Sequence, residues 1–326
     1  MRLARGIAVA AIVAVVAGCG SSGGGGSSAS QSSVPAQIPS VKEFPKVRGR
    51  TMTELAQTVQ AGPVLAPSVS LLRPGMNRFG FGLFDQSRKQ ISDAPGAIYV
   101  ARSQTAKAHG PYVARWESLQ VRGHYLSKTV ATDPDAARTV YVSDVDFPKS
   151  GKYVVLGLFR LDNRLVGAGT TVNVAGSSKI PAVGQKAPFI HTPTKASVGG
   201  DLAKIDTRTP HDDMHDVDYA TAYGKRPIML VIATPALCQS RVCGPVVDLA
   251  EQLKHTMPKN DIAWIHQEVY KNNQINQGLR PQLVAFHLQS EPWVFAINRK
   301  GRVAAILEGA FGTDELQKAA QAAMKG

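Results

Sequence analysis

Cysteine is scarce in this chain, with three in 326 residues. That is too few for the disulfide framework that holds small secreted domains together. Aromatic residues make up only 6%, and nowhere do they interleave with a run of basic residues. The stacked, positively charged strip that binds single-stranded nucleic acid is therefore missing, and no nucleic-acid partner is expected. A membrane-spanning helix needs roughly 20 consecutive apolar residues. The apolar stretch from Ile7 to Ala17 is shorter, and no other segment is long and apolar enough. Acidic residues are outnumbered, 24 against 37 Lys and Arg, which leaves a net charge of +13. Such a balance favours anionic lipid headgroups or acidic polymers; a basic surface that only keeps the chain soluble has the same signature.

What is present begins with Arg2 and Arg5 ahead of that apolar stretch, the order of a signal peptide. The stretch ends in Val16-Ala17-Gly18-Cys19, an aliphatic residue, two small ones and a cysteine. This resembles the lipobox of bacterial lipoproteins. The resemblance implies loss of residues 1–18, lipidation of Cys19 and attachment to the extracytoplasmic face of the cell membrane. A plain secretory peptide with an incidental cysteine is the alternative. Residues from Gly20 to about Ser33 are nearly all Ser and Gly, followed by Pro35, Pro39 and Pro45. Residues 19–45 therefore read as a flexible tether.

The remaining length suits about two domains. Residues 46–175 carry short β-rich runs such as Arg78 to Phe84, Ala97 to Ala101, Thr139 to Val142 and Tyr153 to Phe159, punctuated by Asp135, Pro148 and Asp162-Asn163. Strands at that spacing predict an all-β sandwich. The segment Phe147 to Phe159 resembles the last hairpin of immunoglobulin-like domains in exported bacterial proteins. His109 and His124 stand apart from one another and read as surface residues rather than copper ligands.

Residues 176–326 read differently. Ile228 to Ala233 is a continuous apolar run, as expected of a strand buried on both faces. It leads through Thr234-Pro235 to Cys238-Gln239-Ser240-Arg241-Val242-Cys243-Gly244-Pro245, and Val246, Leu249, Ala250 and Leu253 then recur at helical spacing. A further strand is expected at Ile262–Ile265. Glu291-Pro292 leads into Trp293–Ile297, a turn, a strand over Arg302–Leu307 and a helix capped by Thr313. With the opening phrase Val183-Gly184-Gln185-Lys186-Ala187-Pro188, this order resembles the ResA/TlpA-type extracytoplasmic thioredoxins. The resemblance implies a C-terminal α/β thioredoxin-like domain, with Pro292 as the cis-proline facing a redox pair. The fold class expected for the chain is thus an immunoglobulin-like sandwich plus a thioredoxin-like domain.

The cysteines depart from that pattern, since four residues rather than two intervene between Cys238 and Cys243. Five residues of straight helix would set the Cα atoms ~7.5 Å apart, beyond disulfide reach, so Cys238 must lie in a loop folded back over the helix start. Three uses of the pair stay open. The first is thiol–disulfide exchange, with Cys243 attacking and Cys238 resolving. The second is a structural disulfide in a non-enzymatic envelope binding protein. The third is copper delivery resembling Sco-type chaperones, in which His287 is displaced from the expected ligand position and Ser290 and Glu291 stand there instead. A peroxidase is disfavoured because Thr234 lies four residues before Cys238 and Arg241 lies between the cysteines. Arg241 is either a charge that lowers a thiol pKa or a solvated loop cation.

His211 and His215, in a run with Asp212, Asp213 and Asp216, would share a helical face; Pro210 and the aspartates favour a polar surface loop. Trp264, Trp293 and Phe295 read as core. No cofactor and no metal is assigned. The partners expected are thiols or disulfides of exported proteins, and the membrane through the lipid anchor.

Overall fold

The computed structural model describes residues 38–326, so Cys19, the lipobox-like motif and the Ser/Gly-rich segment lie outside the described residues. Among the described residues no helix is long and apolar enough to cross a membrane.

Eight strands in the first half form one sheet: β1 (Gln60–Ala61), β2 (Val64–Pro67), β3 (Gly75–Phe84), β4 (Gly96–Ala101), β5 (His109–Ser118), β6 (Thr139–Phe147), β7 (Gly151–Leu161) and β8 (Arg164–Val174). Their spatial order is β1-β8-β7-β4-β5-β6-β3-β2. Asp162 and Asn163, with φ of 48° and 60°, make the two-residue turn of the β7–β8 hairpin, in the backbone conformation that matches strand twist. The sheet curls, and the alternation of side chains assigns its two faces. Phe79, Phe81, Ile98, Val100, Tyr141, Val145, Tyr153, Val155 and Phe159 pack together as one core. The intervening residues of β4 and β7, among them Ala97, Tyr99, Leu156 and Leu158, pack with Phe44, Met52 and Leu55. Met52 and Leu55 belong to the short helix α1 (Met52–Ala56), closed by a reciprocal Thr51–Glu54 capping box. The Tyr99 hydroxyl donates to the Pro45 carbonyl at 2.7 Å, so the chain lies against the sheet from Phe44 onward.

The second half forms a four-stranded sheet in the order β10-β9-β11-β12, from β9 (Ile228–Ile232), β10 (Ala263–Gln267), β11 (Trp293–Ile297) and β12 (Val303–Glu308). Its two long helices, α4 (Cys243–Thr256) and α6 (Thr313–Lys325), cover one face through Met229, Val231, Val294 and Ala296. The opposite face, with Ile228, Leu230, Phe295 and Ile297, is covered by loops and by two helical fragments of four and five residues, α3 (Tyr219–Ala222) and α5 (Pro281–Ala285). A last short helix, α2 (Lys128–Thr132), packs near α4.

The expected fold class is corrected on both counts. The β-rich half is a single curled sheet rather than two sheets packed face to face. The second half is not the expected α/β thioredoxin-like domain, in which helices flank a central sheet, because its long helices stand on one face only. The physical reason lies in β6. Its outward residues Val140 and Val142 join Leu119 in the same apolar cluster as Val246, Leu249, Leu316 and Ala320. Helices α4 and α6 therefore fill the space between the two sheets. Trp264, Trp293 and Phe295 are buried, as read from the sequence. Helix α6 begins one residue earlier than expected, with Gly312 at the cap and Thr313 inside the first turn.

Buried charge joins the sheets as well. Glu315 on α6 accepts from Arg78 on β3 at 2.6 and 2.8 Å and from Arg115 on β5 at 2.8 Å. Arg115 also pairs with Glu117 at 2.8 Å, and the second Glu117 oxygen accepts from the Gly312 N–H at 3.0 Å. Burial raises the Glu315 pKa, but the two guanidinium groups outweigh it and hold the carboxyl below its usual range. Glu315→Ala leaves two cations without their shared partner, and a loss of about 3–5 kcal/mol in urea unfolding is expected. Asp261→Ala, at the half-exposed pair with Arg299 (2.7 Å), is expected to cost under ~1 kcal/mol. Equal losses in the two variants would mean that the buried network does not hold the sheets together.

Candidate functional site

The site forms where β9 ends. Its five residues are all buried, and the apolar run stops at Thr234-Pro235, where proline offers no N–H to continue a ladder. Residues 233–242 then turn back across the start of α4. Cys243 is the first residue of that helix, and Pro245 is tolerated in the first turn, where its missing N–H has no helical acceptor. Cys238 and Cys243 are joined as a disulfide with Cα atoms 5.9 Å apart, closer than a straight helix would allow. Cys243 is fully buried, whereas Cys238 is half-buried. Cys238 lines a cleft of about 530 Å³ with Asp133, Pro134, Pro235, Gln239 and Arg241. The cap residue of α4, Val242, makes no side-chain hydrogen bond, so the first helical N–H groups next to Cys243 have no side-chain acceptor.

Glu291 completes this group. A carboxylate oxygen of Glu291 and the sulfurs of Cys238 and Cys243 all lie within 4.8 Å of one another. The Thr234 N–H donates to the carboxylate at 2.6 Å. Burial pushes the Glu291 carboxyl up to about 7, and the charge of Glu268 adds to that; the Thr234 N–H and His266 act the other way. Pro292 follows through a cis peptide bond and is buried at the start of β11. Arg241 does not point its charge at the sulfurs. It is half-exposed and paired with Asp133 at 2.7 Å, while its carbonyl accepts from the Ala137 N–H. His287 is exposed at the end of α5 and is not gathered with the pair; His109 and His124 are exposed.

The histidine–aspartate run is not a surface loop. Asp212 and His215 are 1% and 2% exposed, and with Asp206 and His266 they form a buried cluster whose ligand-capable atoms lie within 4.8 Å of one another. His211 stays at the rim, with Nδ1 3.5 Å from Asp206. Loop residues 205–217 fold inward because the aspartates replace missing backbone partners. Asp206 accepts from the Arg208 and Asp212 N–H groups at 2.8 and 2.9 Å, and Asp212 accepts from the Met214 N–H at 2.9 Å. Burial works against a charged His266 ring, yet the Asp212 and Asp206 carboxylates raise its pKa to about 10. The same carboxylates raise His215 against its burial.

Asp206, His266 and Glu268 carry this chemistry without having stood out in the sequence, and Glu291 stands out there only before Pro292 and in place of a copper ligand. The available signal was His266 and Gln267 at the end of an apolar β10, since a polar side chain on a strand buried on both faces needs a partner. Compared with protein-family models and with curated proteins, the chain matches none.

The raised Glu291 pKa has a stability consequence. The folded state keeps the Glu291 proton up to about pH 7, whereas an unfolded glutamate releases it near ~4.3. Between these values the unfolded chain binds fewer protons, so stability is present at pH 5 and lost as pH rises through 7. Besides Glu268 and His266, the groups facing Glu291 are the Thr234 amide, the Tyr270 phenol and the two sulfurs. Glu291→Gln keeps an acceptor for Thr234 and is expected to flatten the decline in urea-unfolding stability between pH 5 and 8. A decline as steep as in the unmodified chain would assign it to other groups.

Proposed function

We propose that the chain is a thiol–disulfide exchange protein whose working bond is Cys238–Cys243, and that it acts on exported proteins from a lipid anchor at Cys19. The observation that carries this reading is a largely buried carboxyl, that of Glu291, within 4.8 Å of a disulfide that has one reachable and one buried sulfur. A bridge that only staples a loop has no use for a buried proton acceptor, and burying Glu291 carries a desolvation cost.

Exposure exchanges the roles expected of the two cysteines. Cys238 faces the cleft and is the sulfur an outside partner can reach, whereas Cys243 is shielded at the helix start. In the reducing direction the Cys238 thiolate attacks a substrate disulfide, forming a mixed disulfide and releasing one substrate thiolate. Glu291 takes the proton from the Cys243 thiol. The Cys243 thiolate then attacks the Cys238 sulfur, which re-forms the Cys238–Cys243 bond and releases the second substrate thiolate. Two electrons pass to the substrate. The reverse sequence oxidises a substrate dithiol, with Cys243 leaving as a thiolate favoured by the unpaired N–H groups of α4.

Two variants separate these roles. Cys243→Ser cannot resolve and is expected to accumulate mixed disulfides between Cys238 and exported proteins, read by non-reducing gels and mass spectrometry. Cys238→Ser leaves only the buried thiol and is expected to trap at least tenfold less. Equal trapping by both variants, or none by either, rules out Cys238 as the exchanging sulfur.

A further inference from the structure

We infer that Asp206, Asp212, His215 and His266 form a binding site for one divalent transition-metal ion of the zinc class, buried beneath the start of the disulfide loop and separate from the cysteines. The inference stands apart from the redox reading and needs no reducible bridge.

The donor atoms converge from two elements. His266 comes from β10, and the other three come from the loop 205–217 that packs against it through the His266 N–H to Met214 carbonyl bond at 3.0 Å. All four residues are 1–2% exposed. His215 Nε2 lies 3.3 Å from Asp212 Oδ1 and 3.6 Å from Asp206 Oδ2. Donors ~2.0–2.1 Å from a tetrahedral ion stand about 3.3 Å from one another, and the His215 separations are close to that edge. His266 Nδ1 stands 2.7 Å from Asp212 and 3.9 Å from Asp206 Oδ1, so binding would shift that ring or its carboxylates. Neither nitrogen of His215 makes a well-aligned hydrogen bond, although the ring is buried and its Nε2 faces two carboxylates. An imidazole is rarely left in that state, and a cation bound at Nε2 would relieve it.

The tautomer of His266 fits the same picture. Its Nε2 lies 3.0 Å from the Ala233 carbonyl, which can only accept, so Nε2 carries a hydrogen. Nδ1 faces Asp212 at 2.7 Å, and an ion bound there would displace a proton from Nδ1. A carbonyl on the far ring nitrogen is the usual support of a metal-bound histidine. Each carboxylate is steadied in turn by loop N–H groups, which leave further lone pairs free for an ion. Two imidazole nitrogens and two carboxylate oxygens suit zinc and its neighbours rather than Cu(I), which prefers sulfur, or calcium, which takes oxygen alone. The trio Asp213, Glu251 and His255, with only Glu251 largely buried, is a poorer site, because Lys254 already occupies Asp213.

The test uses the full chain stripped with a chelator and titrated with Zn2+ against a competing chromophoric chelator. One Zn2+ per chain is expected, with a rise in the thermal midpoint. His215→Ala and Asp206→Asn should lose tight binding while the circular dichroism of the folded chain is retained, and His255→Ala should keep it. X-ray absorption at the zinc edge of the unmodified chain needs no variant and should report nitrogen and oxygen donors with two imidazoles. The inference is overturned if the folded chain takes up no stoichiometric Zn2+. It is also overturned if binding survives His215→Ala or falls with His255→Ala, or if sulfur appears among the donors.

Discussion

Asp248 is 1% exposed on helix α4, and its two oxygens hold together three parts of the chain that are far apart in sequence. One oxygen pairs with Arg208 at 2.9 Å; the other accepts from the N–H and hydroxyl of Ser127 at 2.9 and 3.0 Å. Arg208 in turn donates to the Tyr125 and Pro210 carbonyls at 2.6 and 2.7 Å. Burial outweighs Arg208 and Ser127 and raises the Asp248 pKa, so the pair fixes position rather than adding net stability, while removing either partner would leave an unpaired buried charge. The consequence is positional. The rotation of α4 about its axis is fixed against the eight-stranded half on one side and against the loop 205–217 on the other. Cys243 stands at the head of that helix, so the placement of the disulfide follows from it.

The end of β9 joins the two polar centres. Ala233 accepts from His266, which belongs to the histidine–aspartate cluster, and the next residue, Thr234, donates to Glu291 beside the disulfide. The Thr234 hydroxyl accepts from the Val269 N–H at 2.9 Å, and the Thr207 hydroxyl receives the Ala236 N–H while donating to Glu268. The loop that presents Cys238 is therefore anchored at its base by buried polar groups and left accessible at its tip. Such a division suits exchange chemistry, which needs one sulfur held in place and the other within reach.

Local structure was legible in the sequence wherever a single segment decides it. The apolar run at Ile228, the helix following Pro245 and the strands near Trp293 and Val303 all form within a few residues of their expected bounds. The need for a loop between Cys238 and Cys243 also followed from helix geometry alone. The global arrangement was not legible, because it depends on which faces meet. Val140 and Val142 look like any outward residues of a strand, and nothing local reveals that α4 and α6 pack over them. Charged residues misled in the same way. Asp212 and His215 sit in a run that reads as solvated, and their burial depends on Asp206 and His266, one six residues upstream and the other on a distant strand. Glu291 stood directly before the proline that drew notice, but its proximity to the sulfurs is a product of tertiary structure.

The claim that most needs a direct answer is that Cys238–Cys243 opens and closes in use. Its equilibrium reduction potential, read by thiol-labelling mass spectrometry of the full chain across a series of dithiothreitol ratios, decides it. A reversible couple between roughly −120 and −270 mV, the range of proteins that exchange disulfides, is expected. A bridge still closed below about −300 mV would contradict it and leave the pair as a staple.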